Sequence, residues 1–202
     1  MPRPRLVPEH EAIDIALTLF WSRGYDRTSI ADLSAALGLG PSSIYNAFGS
    51  KERLFRRAIE RYEETHVAPW LALISEPHDG DPAELVRTLM RGLARVYTGD
   101  DTPPGCAIFE SGGTASPRDS QAAIITQRPR DALRRDLRQR FVEARRAGHD
   151  LSATPATLAA AVVSALSGMS QLACDGGSRA QLLNVADHVA SGVVRRTRSS
   201  GS

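Results

Sequence analysis

From Thr28 to Phe55 the chain reads TSIADLSAALGLGPSSIYNAFGSKERLF, and its middle is crowded with short hydrogen-bonding side chains. Ser42, Ser43, Tyr45 and Asn46 surround only two apolar anchors, Ile44 and Phe48, at i and i+4. Ser and Asn reach base edges or phosphate oxygens without bulk, and a Tyr hydroxyl can donate to phosphate. Lys51, the only lysine in the chain, falls in the first turn of a following helix, where free backbone amides already favour an anion. The chemistry in view is recognition of a nucleic acid, without bond making. The same spacing also fits a three-helix subdomain whose polar face is merely solvated.

The flanking pattern supplies the elements that would hold these residues. Ile13, Ala16, Leu17 and Phe20 make one apolar face of a helix from about Glu9 to Arg23, with Pro8 before it and Gly24 as its C-cap. Residues 1–8, with Arg3 and Arg5 between prolines, read as an extended arm. A second helix starts at Thr28 or Ser29, with Asp32 placed as a capping-box partner, and buries Ile30, Leu33 and Leu37. Gly38 can take positive φ and Leu39 plugs the core beneath the turn. Gly40 caps a short third helix with Pro41 at its first position, a place where the missing N–H costs nothing. Ser50 opens a long helix through Leu54, Phe55, Ala58, Ile59 and Tyr62 that Pro69 kinks or ends.

Beyond it, helices are expected at 82–97, 105–115, 120–147 with an interruption at Pro129, 155–174 and 178–196, followed by a disordered tail at 197–202. The fold class is all-α, about nine helices, with no strand. An arm at 1–8 would precede a helix-turn-helix head at 9–50 and a ligand-binding and dimerisation body at 51–196, whose residues 51–67 connect the two. The last two helices would pair with their copies in a homodimer. Trp70, Met90, Leu93, Tyr97, Cys106, Phe109, Phe141 and Met169 are the candidate lining of an apolar cavity.

Composition excludes several classes. No run of eighteen apolar residues and no signal-peptide core appear, so a cytoplasmic protein with no membrane partner is expected. A net charge of +2 is too small to argue for nucleic acid by itself. Cys106 and Cys174 belong to no CxxC pattern, and the five histidines, His10, His66, His78, His149 and His188, are scattered. No metal or cofactor is expected, and no HExxH, GxSxG, P-loop or GxGxxG suggests an enzyme. Eight arginines crowd 128–146, a pattern that suits the solvated face of an amphipathic helix.

Residues 10–62 resemble the DNA-binding domain of the TetR/AcrR family of bacterial transcriptional regulators. The resemblance runs through Gly24-Tyr25, Thr28-Ser29-Ile30, the Ala-Leu-Gly-Leu turn, Ile44-Tyr45 with Phe48, and Ser50-Lys51-Glu52 with Leu54-Phe55. It implies that Pro41, Ser42, Ser43, Tyr45 and Asn46 face DNA, that Thr28 and Ser29 hold one phosphate and that Lys51 holds another. It also implies a homodimer on a palindromic double-stranded operator, a repressor released by a small hydrophobic effector. Where many members carry Lys or Arg near the start of the third helix, this chain has Pro41, so affinity should lean on Lys51, Arg27, Arg3 and Arg5. The alternative is a helical small-molecule-binding or catalytic protein whose helix-turn-helix is only scaffold.

Overall fold

A computed structural model describes residues 8–75, 80–111 and 120–195. The arm with Arg3 and Arg5, His78, Gly112-Gly113 and the tail from 196 onward lie outside the described residues. The order is α1 (Glu9–Arg23), α2 (Ile30–Leu37), α3 (Pro41–Phe48), α4 (Lys51–Tyr62), a π-helical turn (Glu63–Val67), α5 (Ala68–Ser75), α6 (Pro82–Tyr97), α7 (Ala107–Ser111), α8 (Gln121–Arg146), α9 (Pro155–Cys174) and α10 (Arg179–Ser191). Counting 51–75 as one bent rod gives nine helices among the described residues. Extended structure there is limited to one isolated bridge between Leu151 and Val194.

Three boundaries differ from the expectation. Pro69 neither ends nor sharply interrupts the rod, because the wider π turn just before it absorbs the missing N–H and the ring's bulk. Pro129 lies inside a continuous 26-residue α8. Just beyond Pro129 the Arg130 side chain donates from Nε to the Thr126 carbonyl at 3.0 Å. The last helix stops at Ser191, and the chain turns so that Val194 meets Leu151.

The core is one continuous cluster from Ala12 to Val193. Phe20, Phe55, Tyr62, Tyr97 and Phe141 are its largest fully buried side chains. α1 packs along α4, while α10 lies across α6 and α8 against α9. In α6, Gly92 is buried because the Trp70 ring occupies the space a side chain would need; a Cβ there would lie 2.2 Å from Cε3. Among the described residues α9 is the one helix long and apolar enough to cross a membrane by length and composition, though it holds no unbroken run of eighteen apolar residues. Its serines and glycine break the run of apolar letters without lowering the average much, and 44% of that window is buried inside the fold.

Candidate nucleic-acid interface and core cavity

The head is built from closed helix ends. Ser29 and Asp32 form a full capping box: the Ser29 hydroxyl oxygen accepts from the Asp32 amide at 3.1 Å, and the Ser29 amide donates to the Asp32 carboxylate at 2.8 Å. Gly38 takes φ 64°, ψ 24°, the left-handed conformation that lets its amide donate to the Ser34 carbonyl. Gly40 and Pro41 start α3, and the Ser50 hydroxyl accepts from the Arg53 amide at 3.1 Å to start α4. Between these caps Ile44 and Phe48 anchor α3 from beneath.

That anchoring leaves Pro41, Ser42, Ser43, Tyr45 and Asn46 together on one exposed surface. Tyr45 is 50% exposed, which for a large ring needs a reason. Lys51 stands beside this surface with Nζ 4.1 Å from the centroid of the Tyr25 ring, a cation–π contact that fixes the ammonium in place. Partial burial draws its pKa down, while Asp26 and Asp32 draw it up. Arg27 donates from Nε to the Arg23 carbonyl at 2.9 Å and is otherwise exposed.

Two residues expected to hold a phosphate have their hydroxyls engaged within the head. Thr28 is fully buried, and its hydroxyl donates to the Gly24 carbonyl at 2.8 Å. Ser29 is exposed, but its hydroxyl donates to Asp32 at 2.5 Å, leaving no hydrogen for phosphate. The Ser29 bond also holds the Asp32 carboxyl below its ordinary range, so a carboxylate guards this helix end. Arg53, which the sequence reading leaves unassigned, is exposed and folds over Gly49, where an added Cβ would come within 3.0 Å of Nη1. The positive φ of Gly49, 77°, and the absence of its side chain make that path available.

The head grips the body along α1. Arg61 donates to Asp14 through Nε at 2.8 Å and Nη2 at 3.2 Å, and the Ser111 hydroxyl donates to the Phe20 carbonyl at 3.1 Å. Trp21 meets Tyr62 and His66 edge-on at 4.9 and 5.3 Å. These contacts tie α1 to the rod 51–75 and to α7.

A small cavity, about 40 Å³, opens between that rod and α8. It holds roughly one or two waters. Its lining is Glu63, Val67, Leu71, Leu93, Tyr97, Cys106, Ile108, Phe109, Pro129, Arg130 and Leu133. Of the candidate lining residues the structure brings together Leu93, Tyr97, Cys106 and Phe109. Met90, Phe141 and Met169 are buried in the core away from it, and Trp70 is spent on Gly92. The two irregular stretches of the body, the π turn with Glu63 and Val67 and the proline segment with Pro129 and Arg130, both face this space. The Tyr62 hydroxyl donates to Cys106 Sγ at 3.4 Å, and burial pushes the Cys106 thiol up, so it lines the cavity as a neutral group. Cys174, exposed near Pro104, is pushed up to about 11, chiefly by desolvation. Of the arginine-rich stretch, Arg128, Arg134, Arg135, Arg138, Arg145 and Arg146 are exposed as expected, whereas Arg130 and Arg140 are partly buried.

With the geometry in hand, the similarities are specific. Residues 12–58 match the family model for bacterial regulatory proteins of the tetR family. The HTH-type transcriptional repressor ComR of Escherichia coli K12 is 32% identical over 91% of this chain and 88% of its own length. The chain belongs to the TetR family. A second relative, the HTH-type transcriptional repressor BdcR of the same organism, is 31% identical over 60% of this chain and 61% of its own. The TetR family regulator CifR, solved as a cysteine mutant with a 26-base-pair double-strand operator, superposes with a TM-score of 0.83. It is 29% identical, over 94% of this chain and 98% of CifR.

Proposed function

We propose that this TetR-family chain is a ligand-responsive repressor that binds double-stranded operator DNA through α3 as a homodimer. The observation that carries the reading is the exposed, hydrogen-bonding and uncharged surface of α3, held rigid by caps at both ends beside a fixed lysine. Ser42, Ser43, Tyr45 and Asn46 face the major groove, and Pro41 sets the approach of the helix start. Lys51, Arg27 and Arg53 neutralise phosphates. Residues 9–50 act as the reading head and 51–196 as the body.

The dimer forms through α9 and α10. α9 turns Ala160, Ala161, Ser164, Ser167, Gly168 and Gln171 outward, a small and uncharged face on which a second helix can pack closely. Two-fold symmetry then places two α3 helices on a palindrome. A small molecule with an apolar body enters the cavity between the π turn and Pro129. It favours one bend of the rod 51–75 and so one spacing of the heads. Its leverage equals its differential affinity for the two bends, no more.

A gel shift with DNA from upstream of the chain's own gene tests the reading. A dimer that gives no shift at low salt removes it and leaves the scaffold alternative. Within it, Tyr45→Ala and Lys51→Ala should each weaken binding, and Lys51→Ala should lower the salt slope by about 1. If both variants stay within about twofold of the parent, the assigned face is wrong.

A further inference from the structure

We infer that the ligand of the body cavity is a small organic acid, with Arg130 holding its carboxylate and the apolar walls, which must part from their spacing of about 40 Å³ to admit it, holding its short body. This rests on the cavity being the effector site.

Arg130 is half-buried and lines the cavity at the point where α8 carries its proline. Its Nε donates to the Thr126 carbonyl at 3.0 Å and Nη2 to the Thr126 hydroxyl at 3.2 Å. Both acceptors are neutral. The adjacent acid, Asp131, pairs with Arg134 at 3.1 Å and acts on Arg130 through its charge, without an ion-pair contact. A guanidinium partly out of water that makes no ion pair among the described residues is a costly arrangement, because Arg does not escape by losing its proton. Burial draws its pKa down, which expresses the same cost. A bound carboxylate removes it and adds charge-assisted hydrogen bonds.

Glu63 is the one acid in the lining, and it stands on the opposite wall, in the π turn. No ion pair joins it to Arg130; the cation that acts on it is Arg128. Burial raises its pKa, so of the two charged groups it is the one able to give up its charge. The remaining walls, Val67, Leu71, Leu93, Ile108, Phe109 and Leu133, exclude a purely inorganic anion as the best occupant, since it would leave them uncovered. An acid seated on Arg130 would press its apolar end against Val67 and Leu71, on the rod that carries the head.

Calorimetry on the full chain tests this with butyrate and benzoate against butyramide and benzamide, which match them in shape but not charge. The acids should bind at least about tenfold more tightly than the amides, and Arg130→Gln should abolish that difference. Arg130→Lys should restore part of it, and Glu63→Gln should tighten the acids. Unliganded operator binding and melting temperature, measured on each variant, confirm that the fold survives. Acids and amides binding alike, no binding by either, inorganic phosphate binding as well as butyrate, or Arg130→Gln within about twofold of the parent would each overturn the inference. Two outcomes separate it from the effector reading. Amides that release operator independently of Arg130 leave the effector site standing and sink the acid. Acids that bind through Arg130 without changing operator affinity do the reverse.

Discussion

The helices of residues 9–50 and those of the body bury their side chains equally well but differ in where their irregularities lie. In the head every irregularity is at an end: the Ser29–Asp32 box, Gly38 in the left-handed region, Gly40 with Pro41, and Ser50. Helix interiors there are short and unbroken. In the body the ends are capped too, by Asp81, Ser120, Thr154 and Ser178, but the long rods are broken inside, by the π turn at Glu63–Val67 and by Pro129. End irregularities fix a helix's position. Interior ones leave a rod with a place to bend, and here two such places face each other across a cavity. On the proposed function, the head presents one surface and the body chooses between shapes.

That contrast holds only if the two regions are mechanically joined, and Phe20 is where to break it. Its ring is fully buried, sits edge-on to Phe55 at 5.0 Å, and its carbonyl receives the Ser111 hydroxyl. Phe20→Ala should cost about 3–5 kcal/mol. Urea unfolding of Trp21→Phe and Trp70→Phe backgrounds, each leaving one tryptophan, reads body and head separately. Coincident shifts at both reporters are expected; a shift at Trp21 alone would mean that the head is an independent unit. Gly92→Ala should cost less, about 1–3 kcal/mol, because the new methyl meets the Trp70 ring rather than leaving a void. Its effect should be confined to stability, with the affinity of the folded protein for operator unchanged. Loss of operator binding without loss of stability would show that the α5–α6 contact, not the rod alone, sets the head's position.

The head was legible because its determinants are local. Ser29 with Asp32, Gly38, Pro41 and Ser50 each act within four residues, so their spacing alone places α2, α3 and the start of α4. What stayed hidden in the head was competition for the same atoms. A Thr at position 28 reads as a free hydroxyl in the sequence, whereas the turn brings the Gly24 carbonyl within 2.8 Å of it. The role of Tyr25 under Lys51 was hidden for the same reason. The body was legible as helices but not as a site. Leu93, Tyr97, Cys106 and Phe109 were found because apolar residues crowd any helical core, and Met90, Phe141 and Met169 were named by the same rule yet pack elsewhere. Nothing in the sequence places Glu63 or Arg130 beside them, since each reads as one more charge on a solvated face. Their placement depends on how far Pro129 and the π turn displace two long helices, which is a tertiary quantity.

Within the head, capping and DNA contact should separate cleanly. Ser29→Ala removes the box and should cost about 1 kcal/mol in thermal or urea unfolding. Because the Ser29 hydroxyl is already spent on Asp32, the salt slope of operator binding should stay as in the parent. A slope lowered by Ser29→Ala, as expected for Lys51→Ala, would return Ser29 to the phosphate-contacting set.

The smallest effect belongs to His66, inside the π turn that joins the two regions. Its Nδ1 lies 2.7 Å from the Thr65 hydroxyl, whose own hydrogen goes to the Arg61 carbonyl at 2.7 Å, so Nδ1 carries the proton and donates. Stacked on Tyr62 and edge-on to Trp21, the ring is held neutral: burial lowers its pKa from 6.5, Arg61 lowers it further, and Asp14 opposes. A base with a lowered folded pKa binds fewer protons folded than unfolded. Its contribution is therefore fully present above the unfolded value and is lost as pH falls through 6.5 toward the folded one. Melting temperature should decline shallowly from about pH 7.5 to about pH 5.5, and His66→Gln should flatten part of that decline. The ring is partly exposed, so water screens the effect and the slope stays small. If operator affinity weakens over the same range in the parent but not in His66→Gln, a charge placed in the turn is enough to move the head. If only stability responds, the turn tolerates that charge without bending, and the force that resets the head must come from the cavity side of the rod.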